Sequence, residues 1–344
     1  MLESPFIILE KILKNPPYDC IIIRSNSRIC HKIQSELLGG QFMAVASKER
    51  IRDTKPVNPR VKSMKDFYKR LKKNKSALTG FYILLFFFLV SIFGAIDANY
   101  GLTGISSNAT SLTEKLEGPS AAHWFGTDHL GRDIFIRIIH GMYITLGVGF
   151  AATFLAGLVG VPLGILAGYY GGWLDTIIMR LMDVLLAFPG ILLALAIVSV
   201  LGGSTINVTI AIAIGAVPQF ARIVRGSTLT TKKLEYVDAI RALGARDGKI
   251  IFQHILPNIM SPIIVNTTLF IATAILSAAG LSFLGLGVQP PTPEWGAMLN
   301  DGRNYMYQAG HITFFPGMMI VIVVLAFNLF GDGLRDALDP KFKK

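Results

Sequence analysis

The sequence predicts an all-α membrane protein with six transmembrane helices and both termini in the cytoplasm. Three observations carry that prediction. Of 344 residues, 52% are hydrophobic and only 16% charged, against about a quarter charged in a soluble domain. Long stretches such as Ser76–Ile96 and Gly141–Leu174 carry no charge, and roughly 20 apolar residues suffice to cross the hydrocarbon core. Lys and Arg concentrate on alternate loops, as the positive-inside rule requires.

Residues 1–75 form a basic N-terminal segment holding 17 of the 33 Lys and Arg. Its first 42 residues mix short apolar runs (FIIL, CIII) with no span-length segment. Two readings of 1–42 stay open: translation that begins at Met43, or a poorly ordered cytoplasmic extension. Cys20 and Cys30 stand in neither a metal-ligand spacing nor a disulfide framework.

The membrane domain is expected over 76–332. Its first helix, 77–96, follows Lys72, Lys73 and Lys75. The run is too long for a signal peptide and lacks a small-residue cleavage site, so it reads as an uncleaved span. The second helix is expected at 144–168. Gly160, Gly164, Gly168 and Gly172 recur every four residues there, extended by Ala152 and Ala156. Such a small-residue stripe lets helices approach closely, within the chain or against a partner chain. The third helix is expected at 177–201, with Arg180 and Asp183 near its inner start at a spacing that lets them pair. The turn GGSTIN separates it from the fourth, 207–225, whose inner end carries Arg222 and Arg225. The fifth and sixth are expected at 260–284 and 313–331, and 333–344 is a cytoplasmic tail. With both termini inside, all but four of the 33 Lys and Arg lie on the cytoplasmic side.

Two outer segments punctuate this pattern. In 123–141, Asp128, Arg132, Asp133 and Arg137 place opposite charges at helical spacing. That suits a surface helix at the outer interface or a direct contact with substrate. In 285–296, prolines and glycines predict a stiff external loop, and Trp295 suits an interfacial anchor. Contact with an external protein is the other reading of that loop.

The cytoplasmic loop 226–258 is the most polar part of the membrane domain. Within EYVDAIRALGARDGKIIFQHILPN (235–258), Tyr236, Ile240 and Leu243 fall on one helix face. Glu235 and Asp238 occupy the first turn, where acids suit the helix dipole, and Gly244 is a C-terminal stop. Asp247 is placed to cap a second short helix, and Pro257 and Pro262 shape its passage into the fifth span. A rigid amphipathic projection of this kind docks in another protein's groove or lies on lipid headgroups.

No catalytic or metal-binding constellation is visible. The stretch GARDGKI (244–250) is one residue short of a phosphate loop and has Ile250 where a magnesium-binding hydroxyl is needed. No isolated acid or histidine stands at mid-span, which weighs against a proton- or sodium-coupled carrier. The net charge of +11 belongs to membrane flanks and gives no reason to expect a nucleic-acid partner.

The segment Asp238-Ala239-Ile240, three residues, Gly244, then Ile255-Leu256-Pro257 resembles the "EAA" loop of ABC-importer permeases, with Asp for the usual Glu and Ile240 for the second Ala. HWFGTDHLGRDIFIRIIHG (123–141) and GLSFLGLGVQPPTPEWGAML (280–299) resemble hallmark segments of the "C" permease of the dipeptide, oligopeptide and nickel branch. The resemblance covers roughly 76–340. It implies an ABC type I importer fold in the bacterial cytoplasmic membrane. It also implies a coupling helix made of Glu235, Tyr236, Val237, Asp238, Ala239, Ile240, Arg241, Ala242, Leu243, Gly244 and Ala245. The implied partners are a homologous second permease, two ATPase subunits that bind ATP and Mg, and an extracellular substrate-binding protein. The chain itself would carry no cofactor and no catalytic residue. Di- and oligopeptides are the implied cargo, with nickel or another small solute as the alternative. A stand-alone channel or carrier, or a membrane scaffold, is the rival from a different class.

Overall fold

The computed structural model describes residues 71, 74–101, 104 and 106–338. The expectations for 1–42, for nearly all of the basic segment 1–75, and for the end of the tail, 339–344, lie outside them. Among the described residues five apolar segments are long enough to cross a membrane: Lys75–Tyr100, Ile134–Tyr170, Thr205–Lys232, Asp247–Phe283 and His311–Leu338. A bent pair, Gly172–Leu186 and Gly190–Leu201, makes a further passage if its two halves are counted together.

Helix α1 (Lys75–Tyr100) begins where the Asn74 side chain accepts from the Ala77 amide and ends at Gly101, with φ +63°. Many of its large side chains are exposed, including Phe86, Phe88 and Leu89, as lipid contact permits. Helix α2 (Ile134–Tyr170) starts ten residues before the expected 144, because the Asp133 carboxylate caps the Ile136 amide at 3.0 Å. Helix α3 (Gly172–Leu186) and helix α4 (Gly190–Leu201) meet at 85°. The expected single span 177–201 is therefore broken. Pro189 lacks an amide proton and pushes Phe188 away from helical geometry.

Ser204 caps helix α5 (Thr205–Lys232). Two short helices follow, α6 (Glu235–Ala242) and α7 (Asp247–Ile250), and a π-helical turn at Ile251–Ile255 leads into α8 (Leu256–Phe283). On the far side α9 (Trp295–Gly302) precedes α10 (His311–Leu338).

Small residues set the closest helix approaches. A Cβ on Gly160 would lie 2.6 Å from the Phe220 Cβ, one on Gly164 would lie 2.5 Å from the Ala221 oxygen, and one on Gly168 would lie 2.7 Å from the Thr228 Cβ. All three neighbours are on α5, so this part of the stripe packs within the chain. Gly172 does not belong with them. It has φ +58° and nothing within 4 Å of its Cβ position, because the α2–α3 turn has already carried it away from α5. At the other edge Gly333 of α10 meets Ala77 of α1. Buried Ile271, Ile275 and Ala279 of α8 pack in one cluster with Ile138 and Met142 of α2 and Ile320 and Val323 of α10.

The ion pairs differ from the expected local ones. Asp183 pairs with Arg222 of α5 at 2.8 Å rather than with Arg180. One turn or more toward the loop, Asp175 takes a two-pronged bond from Arg225 at 2.5 and 2.6 Å. Both carboxylates thus link α3 to α5.

The segments 123–141 and 285–296, expected on the outer side, are more buried than a surface helix or a lipid anchor would be. Arg132 bonds Asp128 at 2.6 Å and Asp301 at 3.2 Å, and Arg137 donates to the Ser107 carbonyl and to Asn108. Asp128, Arg132 and Arg137 are all under 5% exposed. Residues 128–133 form a loop, so these charges meet through tertiary packing rather than helical spacing. Trp295 is fully buried, and its indole donates to the Ile138 carbonyl at 3.1 Å. Beside it Glu294 caps α9 through the Gly296 and Ala297 amides at 3.0 and 2.9 Å. The loop between α8 and α9 is thereby fastened to α2.

Candidate functional site

The polar hairpin between α5 and α8 is built on a small apolar anchor. Val237, Ile250 and Ile255 are completely buried and share a cluster with Ile165 and Tyr169 of α2, Val224 of α5 and Ile259 of α8. Burying each such side chain is worth roughly 1.5–3 kcal/mol. The hairpin is therefore docked onto the ends of three long helices.

Polar contacts fix its orientation. The Tyr169 hydroxyl donates to Asp247 at 2.7 Å, and Lys232 donates to the Tyr169 carbonyl. Lys232 and Arg241 both stand over the Tyr169 ring, 5.7 and 5.8 Å from its centre. Hydrogen bonding with the Tyr169 side chain raises the Arg241 pKa, with the charges of Asp238 and Asp247 adding to it. Asn258 donates to the Tyr236 hydroxyl at 2.9 Å. The turn itself is made by Gly244 at φ +79°, a conformation that glycine adopts without steric cost.

The expected apolar face of α6 is divided by the structure. Val237 points inward and Ile240 is half-buried, while Tyr236 is partly open and Leu243 is 87% exposed. Glu235, Asp238, Ala239, Arg241, Ala242 and Gly244 are exposed, and Ala245 is half-buried. Asp238 and Arg241 form an exposed ion pair at 3.3 Å. The expected cap by Asp247 is absent: Arg246 occupies the capping position without a side-chain bond, and Asp247 turns to Tyr169 instead. Tyr169, Lys232 and Asn258 were not singled out by sequence reasoning. Only the recurrence of Ile250, Ile251, Ile255 and Ile259 hinted at a buried seam.

This arrangement presents a stiff, mixed polar and apolar knob. A force on α6 passes to α2 through Tyr169, to α5 through the short Lys232–Leu234 connection, and to α8 through the continuous Asp247–Phe283 segment.

Residues 160–344 match the family described as binding-protein-dependent transport system inner membrane component. Residues 63–119 match the N-terminal transmembrane domain of oligopeptide transport permease C. A dipeptide transport system permease protein from Alkalihalophilus pseudofirmus is 51% identical over 283 residues, covering 82% of this chain and 91% of the relative. A glutathione transport system permease protein from Pectobacterium atrosepticum is 50% identical over 280 residues, covering 81% and 91%. Among solved structures, an inward-facing form of the MetNI methionine ABC transporter has a TM-score of 0.50 at 19% identity, covering 60% of this chain and 98% of that one. That likeness shows a shared fold.

Proposed function

Since this chain belongs to the binding-protein-dependent transport system inner membrane component family, we propose that it moves di- or oligopeptides inward and that residues 235–245 are its coupling helix. It is the multi-pass membrane component of an ABC importer; ATP hydrolysis belongs to separate chains, and a second permease and a binding protein complete the system. The peptide cargo is carried by the dipeptide and glutathione permeases that resemble it.

The observation that carries the coupling role is the hairpin's construction: an exposed α6 rigidly seated on α2, α5 and α8 through Val237, Ile250 and Ile255. Closure of two ATPase subunits around ATP and Mg would displace α6 as one body and swing the attached spans between outward- and inward-facing states. Counting α3 and α4 together as one passage gives six spans and puts both termini in the cytoplasm, in keeping with the Lys and Arg distribution. The second permease would be a homologue of this chain.

The test is co-purification from mild detergent with a C-terminal tag. The unaltered chain is expected to retain ATPase subunits and a second permease, and an Asp238→Lys, Gly244→Pro variant to lose the ATPases. A variant that keeps the ATPases and normal uptake would remove the hairpin from the docking interface.

A further inference from the structure

Two glycines bring α1 to backbone contact with its neighbours. A Cβ on Gly80 would lie 2.8 Å from the Ala326 oxygen of α10, and one on Gly94 would lie 2.4 Å from the Ile139 oxygen of α2. They share one face of α1, about 21 Å apart. Between them large side chains hold the helices apart, and a cavity of about 300 Å³ opens among α1, α2, α8 and α10. Buried Phe87, Leu146, Ile271 and Phe327 form its floor, one from each helix. Exposed Leu85, Phe88 and Phe150 form its mouth, between α1 and α2.

The length of α1 fixes where this mouth lies. The helix has 26 residues, about 38 Å from first to last. A hydrocarbon core of about 30 Å therefore leaves at most about 8 Å of it outside. Phe81 stands about 9 Å from its start and Phe88 about 18 Å from its end. Wherever the bilayer sits along α1, the stretch from Phe81 to Phe88 is in hydrocarbon, and tilt only carries it deeper.

The walls admit one kind of occupant. Among the described residues only Thr268 brings a polar side-chain atom to the lining, and its hydroxyl donates to the Ile264 carbonyl of its own helix at 3.0 Å. A buried water needs about two to four polar partners, and none is offered. Left empty, the lining would forfeit its dispersion contacts. An apolar cavity of about 150 Å³ lined by Leu, Ile and Phe already takes benzene. A helix of another chain is too wide: at 10–12 Å across, one turn fills roughly 500 Å³. The mouth runs on into exposed Phe86 and Leu89 of α1, at the depth where lipid chains lie.

We propose that this cavity binds one acyl chain of a membrane phospholipid, inserted between α1 and α2 and tying α1 to α8 and α10. The inference goes beyond transport and depends only on the chain's place in the membrane.

The test is photolabelling of the full chain, purified with its bound subunits and reconstituted with phosphatidylcholine that carries a diazirine on its acyl chain. Adducts mapped by mass spectrometry are expected on buried Phe87, Leu146 or Ile271 as well as on exposed Phe86. Leu84→Phe puts a ring into the cavity and should lose the buried adducts while keeping those at Phe86. In lipid-depleted detergent, added phosphatidylcholine should raise the unfolding temperature of the unaltered chain and not that of Leu84→Phe. Should Leu84→Phe fail to fold, Thr268→Leu repeats the contrast from α8. Adducts confined to exposed residues, with equal thermal shifts in both chains, would overturn the assignment. Label at Phe86 but none at Phe88, Phe150 or the floor would show that a protein covers the mouth, and would overturn it equally.

Discussion

The hydroxyl of Tyr169, in the last turn of α2, donates to the carboxylate of Asp247, the first residue of α7, at 2.7 Å. This bond joins the end of a long apolar helix to the hairpin that projects from the other side of α5. Its ring simultaneously supports Lys232 and Arg241. One side chain therefore holds the hairpin's two arms against one membrane helix.

Tyr169→Phe removes the hydroxyl and leaves the ring. A hydrogen bond to a charged group contributes about 1.5–3 kcal/mol, so the chain should fold while the hairpin loosens. Uptake per ATP hydrolysed is expected to fall, with ATPase binding retained. A variant with unchanged transport stoichiometry would show that the bond is dispensable for coupling.

The α2–α5 seam predicts a graded glycine series. A Cβ on Gly164 would lie 2.5 Å from the Ala221 oxygen and 2.7 Å from the Val224 Cβ, so Gly164→Ala should cost about 1–3 kcal/mol through forced separation. Gly147 has nothing within 4 Å, and Gly147→Ala should leave the unfolding temperature unchanged or raised. Gly172→Ala meets no neighbour but inherits φ +58°, a strain of about 1–2 kcal/mol. Thermal unfolding in detergent ranks the three; equal shifts at Gly164 and Gly147 would contradict the packing described.

Glu294 predicts a pH dependence. Burial raises its pKa above the ordinary carboxylate value, against the opposing pull of the Gly296 and Ala297 amides and of Ser282 and Thr145. The folded chain then favours the neutral acid and holds more protons than the unfolded chain between the two pKa values. Its contribution to stability is fully present below the unfolded carboxylate pKa and is lost as pH rises through the folded one. The unfolding temperature of the native chain, relative to Glu294→Gln, should fall as pH rises through that window. A difference that is flat or rises with pH would contradict this.

Much of this was legible from residue patterns, and the limits have physical causes. The long charge-free runs placed α1, α2, α5, α8 and α10, because a lipid solvent tolerates little else. Gly244 marked the hairpin turn through its conformational freedom. The break at Pro189 was visible as a residue but hidden by the unbroken hydropathy on both sides. Arg180 and Asp183 have the right local spacing, yet Asp183 pairs across to Arg222, because helix rotation decides partners and hydropathy does not report rotation. The same holds for Gly172, four residues beyond Gly168 but past the turn. Arg132 and Trp295 read from composition as surface residues and are buried by a tertiary fold of the loops before α2 and α9 that no local period encodes. Tyr169 gave no signal, since its partner is 78 residues away.

The central claim is that the exposed side of α6 docks on an ATPase rather than on lipid. It is tested most directly by placing a photo-reactive benzoyl-phenylalanine at Leu243, 87% exposed, and irradiating native membranes. The account predicts a discrete adduct with an ATPase subunit at Leu243 and none from the same probe at Tyr307, on the opposite side of the chain. Adducts with lipid alone at Leu243 would contradict it and make α6 an interfacial helix.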